Sequence, residues 1–117
     1  MPKRVLIVDD HPSFRATARA LLETEGFSVV GEAVDGTEAL AKTKELHPDI
    51  VLLDVQLPDI DGFEVARRLR SNGNSPSVVL VSSREAVDYG ELIGTCGARG
   101  FVPKGELTGA ALRALLA

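Results

Sequence analysis

The chain has 117 residues, 44% of them hydrophobic and 26% charged, with a net charge of −4. That is enough apolar material for one domain with its own core, spanning 1–117, and the acidic balance argues against direct binding to nucleic-acid phosphates. No stretch reads as a signal peptide or as a membrane span of roughly 18 apolar residues, and the single cysteine, Cys96, precludes an internal disulfide, so a cytoplasmic domain is expected.

Arg4–Val8 (RVLIV) is a short Val/Leu/Ile run and reads as the first strand, with Asp9 and Asp10 directly after it. Pro12–Glu25 follows as a helix: Phe14, Ala18, Leu21 and Leu22 recur on one face, Pro12 suits the first turn, and Gly26 suits the stop. Ser28–Ala33 (SVVGEA) is the second strand. Thr37–Leu46 is a second helix that ends at His47-Pro48. Ile50–Leu53 (IVLL) is the third strand and delivers Asp54 off its end into a loop with Gln56, Pro58, Asp59, Asp61 and Gly62.

Phe63–Arg70 places Phe63, Ala66 and Leu69 on one side of a third helix and its arginines toward the other. The polar stretch 71–77 (SNGNSPS) reads as an ordinary connection. Val78–Ser82 is the fourth strand. Ala86–Gly94 is expected to be the weakest helix, because it contains Gly90 and Gly94. Gly100–Val102 is the fifth strand, followed by Lys104, and Thr108–Ala117 closes the chain as a helix with Thr108 as its N-cap. Most strands lack polar alternation, so both faces of a parallel sheet should be covered. The alternation of five strands and five helices predicts an α/β, doubly wound fold.

In such a sheet ligands bind beyond the carboxyl ends of the strands. That edge gathers Asp9, Asp10, Asp54, the Ser82-Ser83 hydroxyls and Lys104. Three neighbouring carboxylates repel one another unless a cation joins them, and an all-oxygen set suits Mg²⁺. A lysine and a hydroxyl beside it could stabilise an anionic group on the metal. This is equipment for phosphoryl transfer, in which aspartate is an accepted covalent nucleophile.

With these residues in place the chain resembles the receiver domain of a two-component response regulator. The resemblance rests on VLIVDD at 5–10, IVLLDVQLPDIDG at 50–62, VVLVSS at 78–83 and GFVPK at 100–104, and it covers essentially the whole chain. GEAVDG at 31–36 and the Lys104-Gly105 pair resemble the NarL/FixJ-like branch, whose members usually carry a C-terminal helix-turn-helix domain.

The resemblance implies a five-stranded flavodoxin-like sheet of order 2-1-3-4-5 flanked by five helices. It also implies Asp54 as phosphoacceptor, and Mg²⁺ held by Asp10, Asp54 and the backbone carbonyl of Gln56, with Asp9 acting through water. Ser82 and Lys104 would engage the phosphoryl group, and Phe101 would turn inward as Ser82 shifts. Ser82, 22 residues before Lys104, fits this role better than Ser83. The implied donor is a histidine kinase or a phosphotransfer protein. The implied output is a changed face of fourth helix, fifth strand and fifth helix, with Tyr89 and Leu92, serving dimerisation or an effector domain. A stand-alone receiver acting through protein contacts is the alternative.

Three positions depart from the common pattern. Ser82 stands where threonine is frequent, Phe101 replaces a frequent tyrosine and so should signal through packing alone, and Gly105 follows Lys104 where proline is frequent. An aspartyl-phosphate hydrolase would want a second aspartate at position 56, which is Gln56. A flavodoxin-type redox carrier would want a Ser/Thr/Gly-rich loop after the first strand, where this chain has DDHPSF. His11 is read as a surface residue, because imidazole prefers softer metals than Mg²⁺. Asp59 and Asp61 are read as turn and first-turn residues, and Cys96 as a small buried hydrophobe.

Overall fold

The computed structural model describes residues 2–70 and 75–116. Residues 71–74 of the polar connection and Ala117 of the last predicted helix lie outside the described residues. The strands are β1 (Arg4–Val8), β2 (Ser28–Ala33), β3 (Ile50–Asp54), β4 (Ser77–Ser82) and β5 (Gly100–Pro103). They form one parallel sheet in the order β2-β1-β3-β4-β5, as the resemblance implies. The helices are α1 (Pro12–Thr24), α2 (Gly36–Leu46), α3 (Gly62–Arg70), α4 (Leu92–Thr95) and α5 (Gly109–Leu116).

Strand parity divides the core into two layers. Leu6, Val8, Val51, Leu53, Val78 and Leu80 pack with Ala39, Phe63, Val65, Ala66, Leu69 and Cys96 under α2, α3 and α4. Val5, Ile7, Ile50, Leu52, Val79, Val81 and Val102 pack with Ala18, Leu22 and Leu112 under α1 and α5. Every residue of β3 is buried, because α helices cover both faces of this central strand.

The helix ends follow local chemistry. Pro12 opens α1, and Gly26 beyond its end adopts a left-handed φ of 93°. Asp35 caps α2 by accepting from Glu38 N at 2.8 Å, Asp61 caps α3 through Glu64 N at 2.9 Å, and Thr108 Oγ1 accepts from Ala111 N at 2.9 Å. Gly62 is required by close contact. A Cβ there would lie 2.4 Å from the Asp54 carbonyl oxygen, and Gly62 N donates to Val55 O at 2.7 Å.

The predicted helix over 86–94 is corrected. The chain instead forms a 3₁₀ turn, Ala86–Asp88, and then the single turn of α4. Gly90 lies between them with φ 58°, a left-handed conformation that ends the first turn. Reciprocal capping of Glu85 and Asp88 closes that turn as a separate unit. The peptide bonds of the described residues are all trans.

Candidate functional site

The register sets the site. Val8 pairs with Leu53, so the residues that follow, Asp9 and Asp54, come out of adjacent strands side by side. By the same alternation Asp9, Asp54 and Lys104 continue the layer under α1 and α5. Asp9 and Asp54 are 0% and 2% exposed, whereas Asp10 is open to solvent.

Lys104 Nζ lies 2.6 Å from Asp9 Oδ2 and 3.4 Å from Asp54 Oδ2, bridging the two buried carboxylates. The same ammonium sits 4.5 Å over the Phe14 ring of α1. Gln56 N donates to Asp54 Oδ1 at 3.1 Å, fixing the second oxygen. Burial and, after it, the Asp9 charge push the Asp54 carboxyl up to about 6, against the opposing pull of the Gln56 amide and Lys104. The pair of carboxylates thus has one cation where two would balance it.

His11 joins this group. Its backbone N donates to Asp9 Oδ1 at 2.8 Å, and its Nδ1 lies 2.9 Å from Asp9 Oδ1 and 3.1 Å from Asp10 Oδ1. Asp9, Asp10, His11 and Asp54 each offer a ligand atom, all within 4.8 Å of one another. An acidic cluster with that span is compatible with a metal ion. Its three carboxylates form the hard-oxygen part, while the imidazole stands at the rim with its side chain 62% exposed.

Arg15 steadies the loop from α1, donating to the Asp9 carbonyl at 2.7 Å while pairing with Glu32 of β2 at 3.0 Å. With Arg19 also bonded to it at 2.8 Å, the Glu32 carboxyl is held below its ordinary range, the Arg19 hydrogen bond being the largest cause.

Ser82 and Phe101 fall elsewhere. Ser82 continues the Val78–Leu80 alternation, so it comes off the opposite face of the sheet from Asp54. Its Oγ lies 2.6 Å from the Tyr89 hydroxyl and accepts from Arg84 N at 3.1 Å. Phe101 packs on this side too, its ring centroid 5.7 Å from that of Tyr89, and Phe63 of α3 approaches the same tyrosine edge-on at 5.4 Å. Gln56 is exposed in the loop after β3.

Two residues gain a place that sequence reading did not give them. Tyr89, assigned to an interaction surface, is the partner of Ser82. Its signal in the sequence was only that it is the chain's one tyrosine. Asp59 is more than a turn residue: its carboxylate accepts from Gly36 N at 2.8 Å, Thr37 N at 2.9 Å and Thr37 Oγ1 at 2.6 Å. It thereby ties the loop after Asp54 to the start of α2. The Thr37 hydroxyl, followed by these amides, holds the Asp59 carboxyl well below the usual carboxylate range.

A family model described as the response regulator receiver domain matches residues 5–116. The chain belongs to that family. Among curated relatives, this receiver domain is 41% identical over 103 residues to the response regulator GacA of Pseudomonas viridiflava, covering 87% of this chain and 48% of GacA. It is 36% identical over 101 residues to the DNA-binding transcriptional activator EvgA of Escherichia coli K12, covering 86% of this chain and 50% of EvgA. The chain spans about half the length of the curated relatives it matches.

Among solved structures, the signal receiver domain of the response regulator NarL from Mycobacterium tuberculosis superposes with a TM-score of 0.86 at 36% identity, covering 99% of this chain and 98% of that one. A LuxR-family two-component response regulator from Aurantimonas gives a TM-score of 0.87 at 31% identity, covering 99% of this chain and 86% of that one. The receiver domain is thus similar to NarL- and LuxR-family regulators in both sequence and fold. Among its described residues no helix is long and apolar enough to cross a membrane.

Proposed function

We propose that this receiver domain accepts a phosphoryl group on Asp54 and works as a phosphorylation-operated switch in a two-component system, with a transcriptional output. The observation that carries the reading is the placement of Asp54. It stands on a fully buried strand end with one oxygen held by the Gln56 amide and the other facing Lys104, with Asp9 and Asp10 alongside.

In the reaction an Asp54 carboxylate oxygen attacks the phosphorus of a phosphohistidine on a partner kinase or phosphotransfer protein. The P–N bond breaks, its electron pair stays on the imidazole, and Asp54 becomes a mixed acyl-phosphate anhydride. With a carboxyl raised only to about 6, Asp54 is largely ionised at neutral pH and available as nucleophile. Lys104 pairs with the incoming phosphoryl oxygens, and Gln56 keeps the carboxylate oriented. Hydrolysis of the anhydride restores Asp54, so the domain is a phosphoacceptor that assists its own phosphorylation and dephosphorylation rather than an enzyme with a separate substrate.

Asp10, Asp54 and the Gln56 backbone carbonyl would hold Mg²⁺ directly, with Asp9 acting through water. When bound, the ion offsets the charge of the carboxylates and of the transferring phosphoryl oxygens. The face formed by α4, β5 and α5, where Leu92 exposes apolar surface next to Val87 of the preceding 3₁₀ turn, is the surface for homodimerisation or for an effector domain. GacA and EvgA, named as a response regulator and a transcriptional activator, support a transcriptional output, while the net charge of −4 supports leaving DNA contact to another domain. A cytoplasmic setting follows from that role.

The test is incubation with acetyl phosphate and Mg²⁺ followed by intact mass measurement. One acid-stable but hydroxylamine-labile phosphoryl group is expected on the wild type, and none on Asp54→Asn or after chelation of Mg²⁺. An Asp54→Asn chain that still gained one phosphoryl group would sink the assignment.

A further inference from the structure

The Ser82 hydroxyl has one proton to donate and two lone pairs to offer. Among the described residues its side-chain bonds go to Tyr89 Oη at 2.6 Å and Arg84 N at 3.1 Å, and Tyr89 packs on the layer opposite the one that Asp54 continues. Ser82 is 1% exposed, so water does not compete for it. The resting serine is therefore already engaged.

Its partner is carried by a thinly anchored segment. Between Ser82 and the buried Cys96, every residue is exposed except Tyr89 and Ile93. Tyr89 closes the 3₁₀ turn and immediately precedes Gly90, where the chain turns left-handed into α4. Its ring lies against both Phe63 and Phe101, at 5.4 and 5.7 Å. It is also the chain's one phenol, since position 101 is phenylalanine.

We propose that the Tyr89 hydroxyl is the resting-state holder of Ser82, and that a phosphoryl group on Asp54 competes with it for the serine. The proposal rests on Asp54 being the phosphoacceptor. When Ser82 turns to the phosphoryl oxygens, Tyr89 loses its hydrogen bond and one of the two anchors of residues 83–95 is released. The hydroxyl missing from Phe101 is thus supplied from the turn before α4 instead of from β5. Linkage makes the effect reciprocal: whatever favours the Tyr89–Ser82 bond disfavours the phosphorylated state by the same factor. Tyr89 acts only through Ser82, which makes it a positioning residue.

The chain contains one tyrosine and no tryptophan, so its intrinsic fluorescence reports Tyr89 alone. Beryllofluoride with Mg²⁺, a phosphoryl mimic, should shift that emission in the wild type. Ser82→Ala should start where the saturated wild type ends and move no further. Tyr89→Phe, which keeps the ring packing, should bind beryllofluoride about fivefold more tightly by calorimetry, the scale of one net hydrogen bond. That gain should persist with Ser82→Thr, which retains a hydroxyl, and vanish with Ser82→Ala.

Beryllofluoride bound and Asp54 phosphorylated by mass, with tyrosine emission unchanged, would overturn this inference while leaving the phosphoacceptor reading intact. An equal Tyr89→Phe effect with and without the Ser82 hydroxyl would also overturn it, because the phenol would then act through packing. Absence of any phosphoryl uptake would remove the phosphoacceptor reading and this inference together.

Discussion

On the α1 and α5 side of the sheet edge, Asp9 and Asp54 are buried at the ends of the buried strands β1 and β3, and the ammonium of Lys104, which follows β5, bridges both carboxylates. On the α3 and α4 side, Ser82 meets a tyrosine carried by two short turns in which Val87 is 85% exposed. The first region holds charge that has nowhere to relax. The second holds a single hydrogen bond on a segment with little apolar burial to keep it in place. Precise placement of a nucleophile calls for the first kind of structure, whereas an element that changes position has to come from the low-stability end of the molecule. Strand parity places the two on opposite layers of the sheet while they share one edge.

The largest test of this contrast is Lys104→Ala. It leaves two buried carboxylates facing each other with their bridging cation gone. In metal-free protein at pH 7.5 it should cost about 3 kcal/mol by urea unfolding. At pH 5 the cost should shrink, because Asp54, raised to about 6, is by then mostly protonated. An equal cost at both pH values would mean that Lys104 stabilises chiefly through its packing on Phe14.

Asp54→Asn tests the same charge with the opposite sign. A carboxyl whose folded value, about 6, lies above its ordinary 3.8 binds its proton more tightly in the folded state. Stability from this group is therefore highest below about pH 4, falls as pH rises toward 6, and stays low above that. The neutral amide escapes the penalty. Asp54→Asn should stabilise the metal-free domain by about 2 kcal/mol at pH 7.5 and by little at pH 4. A stabilisation independent of pH would show that the ionised carboxylate carries no strain.

The strands could be read from short apolar runs, and β1 and β2 coincide with their predicted limits. Once those ends were located, the meeting of Asp9, Asp10, Asp54 and Lys104 followed, because a parallel sheet brings all its carboxyl ends to one edge. The strand order came from family resemblance, since periodicity alone does not rank neighbours. What escaped the sequence depended on chain path. Tyr89 reaches Ser82 from the end of a 3₁₀ turn, and Gly90 then breaks the segment expected to be one helix. Asp59 meets Gly36 and Thr37 across more than 20 positions, and no local pattern announces such a contact. His11 was set aside on the softness of its nitrogen, yet the entry into α1 brings that nitrogen to both aspartates.

The smallest global effect is expected at Gly90. An alanine there must hold a left-handed φ of 58°, which costs about 1 kcal/mol where the surrounding structure enforces it. No heavy atom lies within 4 Å of the added methyl, so strain is the only penalty. If residues 83–95 were as firmly set as β3, the whole cost would appear in the global unfolding midpoint. With only Tyr89 and Ile93 holding the segment, the turn should instead rearrange locally. Gly90→Ala should then move the midpoint by under about 0.5 kcal/mol while changing tyrosine emission and speeding amide exchange over 85–95. A full 1 kcal/mol loss with unchanged emission would place this turn among the rigid parts of the fold, and the contrast between the two sides of the edge would then rest on charge alone.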